Sequence, residues 1–365
     1  MTEPTAAPLA PLASIPREIG CAQDYEVLAR RFLPAATYEY IAGGSAQDRT
    51  VAANVAAFDH WSVYQRLLRD VSGGHTRVSI RGDSFEFPVM LAPVAHHRLA
   101  HRGAEVETAR AADAVGACMI ASTLSSCTLE EIAHCAGPQR WFQLYFQPDP
   151  QATLGLLRRA EAAGYGAIVV TLDASIQVAS LRALRAGFQL PADCVAANMR
   201  DRQPPSGNVF QMASASSWAD LEWLIAQTRL PVWVKGVQHP DDARALVKAG
   251  AAGLVVSNHG GRGLDGAPAS LALLPAMRAA VGAQFPLLFD GGIRSGQDVF
   301  KALALGANAA LVGRLQLYAL AVAGALGVAH MLKLLREELE VCMALAGCAT
   351  PADIDCAALM RRDTC

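Results

Sequence analysis

The run Phe87–Ala95, FPVMLAPVA, is apolar at nearly every position and broken by prolines, which marks a short strand hidden on both faces. Seven more such runs follow: ACMIAST (117–123), RWFQLYF (140–146), AIVVTLD (167–173), PVWVKGV (231–237), GLVVSNHG (253–260), PLLFDGGI (286–293) and AALVGR (309–314). Between them lie stretches rich in Ala, Leu, Glu and Arg with helical period, such as GAEVETARAADAVG, PQATLGLLRRAEAAG and PDDARALVKAG. Eight strand–helix units within about 230 residues predict an α/β fold of the (β/α)8 TIM-barrel type rather than an open sheet. The one long gap, Leu190–Trp218, carries Pro204-Pro205-Ser206-Gly207 and reads as a loop after strand four.

Upstream of the barrel, Asp24–Ala42 has helical spacing interrupted by Pro34, and a second helical piece covers Ala46–Phe58. After strand eight a helix is expected over Val328–Ala346, packed on the barrel. The expected organisation is therefore a flexible N-terminal tail (1–22), a barrel with N-terminal helices (23–348) and a C-terminal tail (349–365).

At 365 residues and 52% hydrophobic content the chain can bury a large core. Its formal charge of −2, from 31 basic and 33 acidic residues, argues against a nucleic-acid partner. No apolar run is expected to reach the roughly 18 residues of a membrane span, so no membrane partner is expected. The start, MTEPTAAPLAPLASIP, lacks a basic segment and is broken by prolines, so it makes a poor signal peptide. Nine cysteines, an odd number with no CxxC, read as reduced thiols of a cytoplasmic protein, with no disulfide framework and no metal site.

In a barrel of this kind the active site lies at the C-terminal ends of the strands. Those ends offer Ala95, Ser122, Gln143 with Tyr145, Thr171 with Asp173, Lys235, Ser257 with His259 and Arg262, Asp290-Gly291-Gly292 with Arg294, and Gly313-Arg314. The segment VVSNHGGRGLD (255–265) alone admits two readings: a proton-removal site beside an anion site, or a turn whose polar residues face water. DGGIRSG after strand seven and GR after strand eight combine small residues, free backbone N–H groups and arginines, the usual phosphate cradle of these barrels. Glycines placed only for tight turns are the competing explanation.

The ordered set RWFQLY, PVWVKGV, SNHGGRGLD and LFDGGIRSGQDVFKALALGA resembles the FMN-dependent 2-hydroxy acid oxidases and dehydrogenases, over about residues 23 to 348. The resemblance implies FMN as cofactor and oxidation of a 2-hydroxy acid, or a related α-hydroxy carbonyl compound, to the 2-oxo product. His259 would be the base that accepts the proton of the substrate hydroxyl or α-carbon, and Asp173 would stabilise its imidazolium. Arg262 would bind the substrate carboxylate, with Tyr40 and Tyr145 hydrogen-bonding from opposite sides. Lys235 would sit beside flavin N1, and Ser122, Gln143 and Thr171 would contact the flavin ring. Ala95 matches the backbone position near N5. Asp290, Gly291, Gly292 and Arg294 match ribityl and phosphate contacts, completed by Gly313 and Arg314, and Ser257 joins the cofactor set.

One departure concerns the substrate grip. The resemblance implies a second carboxylate arginine after strand four, in a segment like GNRxRD. Here Thr171–Pro191 reads TLDASIQVASLRALRAGFQLP, so the glycine falls on Val178 and the arginine on Ser180. Arg182 matches only the second, non-clamping arginine. Either Arg182 or Arg185 replaces the lost guanidinium, or the substrate carries a neutral amide, ester, amine or larger group there. A flavin-dependent isomerase is a further alternative. Oxygen is the simplest electron acceptor, with a soluble dye-like or quinone acceptor as the other option. A homotetramer or other homo-oligomer is the expectation that the resemblance carries.

Overall fold

In the computed structural model, which describes residues 7–174, 179–199 and 216–362, the eight runs form eight parallel strands. They are β1 (Val89–Leu91), β2 (Met119–Ser122), β3 (Arg140–Leu144), β4 (Ile168–Thr171), β5 (Val232–Val237), β6 (Gly253–Val256), β7 (Leu287–Asp290) and β8 (Ala309–Val312). Each pairs with the next, and β8 pairs with β1, which closes a (β/α)8 barrel. The strands lack polar–apolar alternation because both faces are covered, yet period two still sorts their side chains. Val169 points inward with Met90, Ile120, Val255, Leu288 and Leu311, while Ile168 and Val170 join the outer core under the helices.

The barrel interior is apolar at one end and polar at the other. At the N-terminal end Trp141 and Trp233 lie 4.9 Å apart. A Cβ on Gly253 would meet the Trp233 ring at 2.2 Å, so that position needs glycine. A hairpin of Val78–Ile80 and Asp83–Phe85 plugs this end, with Ile80 and Phe85 in the interior cluster. At the C-terminal end the buried side chains are Ser122, Gln143, Thr171, Lys235, Ser257 and Asp290. Buried polar groups need partners or a purpose, so this end is where function is sought.

The helix expected over Val328–Ala346 begins earlier, at Arg314, with a break at Ala323–Gly324 where the backbone leaves helical geometry. Apart from Gln316, residues 315–327 carry no strongly polar side chain on any face, which hides the helical period from a sequence reading. This also corrects the expectation of no long apolar run. Arg314–Ala346 is long and apolar enough to cross a membrane by length and composition, and 78% of its most apolar 18-residue window is buried inside the fold.

Pro34 starts the helix Ala35–Ala42 and separates it from Asp24–Leu28, and the second piece is helical over Arg49–Ala56. In the segment expected as an N-terminal tail, Leu9 and Leu12 donate backbone hydrogen bonds to the Arg31 and Val322 carbonyls, and Ala22 is buried. In the segment expected as a C-terminal tail, Leu359–Arg361 pairs antiparallel with Trp61–Val63. Most of the expected loop after β4, residues 200–215, lies outside the described residues, as does Val178.

Candidate active site

Three neighbouring strand ends build the deepest part of the site. Lys235 Nζ donates to Ser257 Oγ at 2.8 Å and pairs with Asp290 Oδ2 at 2.9 Å, and Ser257 Oγ donates to Asp290 Oδ1 at 2.6 Å. Burial pushes the lysine toward neutrality, but the charges of Asp290 and Asp173 outweigh it and raise its pKa. Lys235 therefore stays an ammonium, with a third N–H beyond the two it uses here.

Gly236 follows Lys235 at φ +100°, where the β5–β6 register shifts. A Cβ there would lie 2.4 Å from Asp173 Cγ, so the glycine makes room for that carboxylate. The sequence reading did not single out Gly236, although a glycine inside a strand run is the signal that could have found it.

Beyond β6 the chain turns through Asn258–Arg262. Asn258 and Asn54 exchange two side-chain hydrogen bonds of 2.8 Å, and Asn258 also accepts from the Gly261 N–H. This buried amide pair, absent from the sequence reading, fixes the turn. His259 itself sits at φ +60°, a left-handed conformation unusual for a non-glycine residue. Its backbone N–H donates to Ser257 Oγ at 3.0 Å and its Nδ1 contacts Asp173 Oδ1 at 2.9 Å. Burial raises the Asp173 pKa, but the hydrogen bond and charge of His259, together with Lys235, outweigh it and hold the carboxyl below the ordinary range. An ionised Asp173 accepts the Nδ1–H, and that assignment leaves Nε2 as the basic nitrogen.

The grip side joins strand-end residues, Arg262 after β6 and Tyr145 after β3, to Tyr40 on the helix Ala35–Ala42 outside the barrel. Arg262 Nη2 donates to the Tyr40 and Ile41 carbonyls at 2.7 and 3.0 Å, and its guanidinium lies over the Tyr40 ring, 5.1 Å from the centroid. Burial raises the Tyr145 pKa, followed by the charges of Asp173 and Tyr40, so the phenol stays protonated as a donor. Those neighbours place Tyr145 with Tyr40, Asp173 and Arg262. Ser180 and Arg182 are not brought to this group. The Ser180 side chain caps the helix Leu181–Arg185, accepting from the Ala183 N–H. Arg182 pairs with Glu39 and, at 3.7 Å, with Asp48. Arg185 lines a separate cleft of about 620 Å³ with Glu39, Gln47, Asp48 and Arg182.

Around the expected cofactor contacts, two buried polar atoms have no hydrogen-bond partner among the described residues: Gln143 Nε2 and Thr171 Oγ1. Ser122 Oγ and the Thr123 N–H both donate to Gln143 Oε1, which leaves the amide N–H group as the free end. An unpaired buried donor beside an unpaired hydroxyl suits a planar ring with carbonyl and ring-nitrogen groups. Ala95 lies half-buried in the loop beyond β1.

The phosphate end differs in detail from the sequence reading. Arg314 donates to the Ile41, Gly43 and Gly260 carbonyls at 3.0, 2.7 and 2.8 Å. Burial, then the charges of Arg262 and Arg294, push its pKa down to about 9. Such an excess of buried positive charge fits a phosphate group. Arg294 pairs with Glu26 at 2.7 Å. A Cβ on Gly292 would meet the Asn54 carbonyl at 2.2 Å, so close packing accounts for that glycine, and Gly291 lies against Ser270 and Asn54. A Cβ on Gly313 would make only an ordinary contact, 3.9 Å from Val94 Cγ2. The donor set and the orphaned atoms fit FMN.

Known proteins share this architecture. The profile of the family described as FMN-dependent dehydrogenase matches residues 29–361. An L-lactate oxidase of Alicycliphilus denitrificans is 63% identical over 95% of this chain and 98% of its own length. The 2-Hydroxyacid oxidase 1 of Homo sapiens is 39% identical over 93% of this chain and 96% of its own. A crystal structure of Mandelate oxidase with (S)-2-phenylpropionate superposes with a TM-score of 0.86 at 43% identity, covering 94% of this chain and 98% of that one.

Proposed function

Because the chain belongs to the FMN-dependent dehydrogenase family and is an FMN-dependent 2-hydroxy acid oxidase with oxygen as acceptor, we propose that its substrate is a small L-2-hydroxy acid, L-lactate first. The observation that carries the reading is the His259–Asp173 pair beside Arg262 and Tyr145. The 63% identity to an L-lactate oxidase supports the choice of acid.

In this reading the Arg262 guanidinium, with only Nη2 engaged among the described residues, takes the substrate carboxylate on its remaining N–H groups. Tyr145 donates from its protonated hydroxyl. His259 Nε2 accepts the substrate proton, and Asp173 stabilises the imidazolium that results. When bound, FMN would supply the two-electron acceptor, and Gln143, Thr171, Arg314 and Gly313 are the residues that would hold it, the first two at the ring and the last two at the phosphate. The ammonium of Lys235 supplies fixed positive charge in the deepest part of the site, beside Ser257 and Asp290. Ser180 capping a helix, with Arg182 tied to Glu39, supports a grip built on one guanidinium and phenols rather than two guanidiniums.

The test is steady-state turnover and anaerobic flavin bleaching on L-lactate, glycolate, mandelate and lactamide. Bleaching by L-lactate with peroxide formation in air is expected. Efficient turnover of the amide with none of the acids would overturn the substrate reading and favour a pocket remodelled for a neutral group. We also infer a cytoplasmic homo-oligomer. The described cysteines are all free, and Leu67, Leu68, Val341 and Leu345 are exposed where the Arg66 N–H meets the Leu345 carbonyl. Light scattering on the purified protein and fractionation of cells test these two points.

A further inference from the structure

We infer that Phe188 is a positioning residue for carboxylate binding, acting through Tyr40 on Arg262. The inference rests on the 2-hydroxy acid reading of the site. The Phe188 ring stacks on the Tyr40 ring with centroids 4.1 Å apart and planes 9° from parallel. A ring that close fills one face of Tyr40, so the Arg262 guanidinium at 5.1 Å takes the other. Phe188, Tyr40 and Arg262 thus form a three-layer stack. Arg262 is tied to residue 40 twice, through the ring face and through the Tyr40 carbonyl that accepts from Nη2.

Phe188 is not packed into either buried core, whereas Tyr40 borders the larger one. Its own placement is well fixed. The Phe188 N–H donates to the Ala183 carbonyl at 3.0 Å and the Gly187 N–H to the Leu184 carbonyl at 3.0 Å, with Gly187 at φ +68°. That is the usual left-handed close of a helix, here the short helix Leu181–Arg185. The helix start is held by the Ser180 cap and by backbone bonds between Ala46 and residues 179 and 181. Arg182 ties the same helix to Glu39, the residue before Tyr40.

Residues 179–188 after β4 therefore grip the helix Ala35–Ala42 from outside and, among the described residues, send no guanidinium toward His259. With Arg182 tied to Glu39 and Arg314 bound to three carbonyls, Arg262 is, among the described residues brought to this group, the guanidinium left for the substrate. Its aim depends on Tyr40, and the Tyr40 ring depends on Phe188. Without Phe188 the Tyr40 ring gains rotamer freedom and Arg262 loses a fixed face, while the His259–Asp173 pair is untouched. Ground-state grip should weaken and the chemical step should not.

Holoenzyme carrying Phe188→Ala, Phe188→Leu or Phe188→Tyr tests this. Relative to wild type, Phe188→Ala and Phe188→Leu should raise the KM for L-lactate about 5- to 10-fold, the worth of one ring stack. Flavin reduction at saturating substrate should stay within about 2-fold, and Phe188→Tyr should restore the KM. Calorimetric titration with oxalate, an acid with no hydroxyl carbon to oxidise, should show the same weakening. In a Tyr40→Ala background, Phe188→Ala should add nothing. A fall in the reduction rate at unchanged KM, or an undiminished effect without Tyr40, overturns the inference. If Phe188→Ala does not fold, Phe188→Leu, which keeps most of the volume, must show the KM rise. Should wild type ignore lactate, the substrate reading fails, and the oxalate titrations alone decide the role of Phe188.

Discussion

On one side of the barrel mouth Lys235, Ser257 and Asp290 stand at the ends of three adjacent strands and bond one another, whereas on the other Arg262, from the turn after β6, meets Tyr40 of the helix Ala35–Ala42, and Tyr40 meets Phe188 beyond the helix Leu181–Arg185. The first group is buried, charged and mutually bonded, with positions set by strand register. The second is half-exposed and held by ring faces and helix-end carbonyls. Chemistry needs charges fixed in a low dielectric, which a strand lattice provides. Substrate grip tolerates adjustment, so it is hung on loops and a short helix. The difference predicts that substitutions on the barrel side damage rate and stability, and that those on the outer side shift affinity.

The largest effect is expected at the hinge between the two sides. His259→Ala should slow flavin reduction by substrate about 10²- to 10⁴-fold while FMN stays bound, as loss of a general base does. Rapid mixing under anaerobic conditions measures it, and near-normal reduction would dismantle the assignment. Next comes Lys235→Met, which leaves the Asp290 carboxylate buried without its ammonium partner. Breaking a buried pair from one side costs about 3–5 kcal/mol, read from denaturant unfolding of the flavin-free protein. Unfolding midpoints equal to wild type would show that the pair contributes nothing there.

A third expectation follows from Asp173, whose carboxyl sits below its ordinary range despite burial. A carboxyl lowered in the folded state stabilises the fold above its unfolded pKa of about 3.9, and that stability is lost as pH falls through the folded value. The stability gap between wild type and Asp173→Asn should therefore narrow as pH is lowered from near neutral into that acid range. A gap that widens toward acid would reverse the sign. The smallest effect belongs to the outer side. Arg182→Gln should cost no more than about 1 kcal/mol, because the Arg182–Glu39 pair is partly exposed, and should move the KM less than Phe188→Ala does. Ser180→Arg should change the KM for lactate by no more than about 3-fold if the grip already works with one guanidinium. A gain of about 10-fold or more, the worth of one charge-assisted bond, would show that it does not.

The amino-acid sequence by itself determined the barrel. Eight apolar runs with helical spacers leave few alternatives, because strand and helix periods are set by neighbours along the chain. It also gave the identities of the strand-end residues, among them Ser122, Gln143, Thr171, Asp173, Lys235 and Asp290, since the fold class dictates which end carries function. Only the tertiary structure decided what the long side chains do. Arg182 goes to Glu39, Arg294 to Glu26 and Arg314 to three carbonyls, partners distant in sequence or contributed by backbone, which no local pattern encodes. The same holds for Gly236 and Gly292, whose need for glycine comes from Asp173 and Asn54 approaching after closure. Phe188 reads in the sequence as one more aromatic beyond strand four. Its place against Tyr40 exists only once the segment after β4 has folded back on the helix Ala35–Ala42, because stacking depends on where two distant backbones meet.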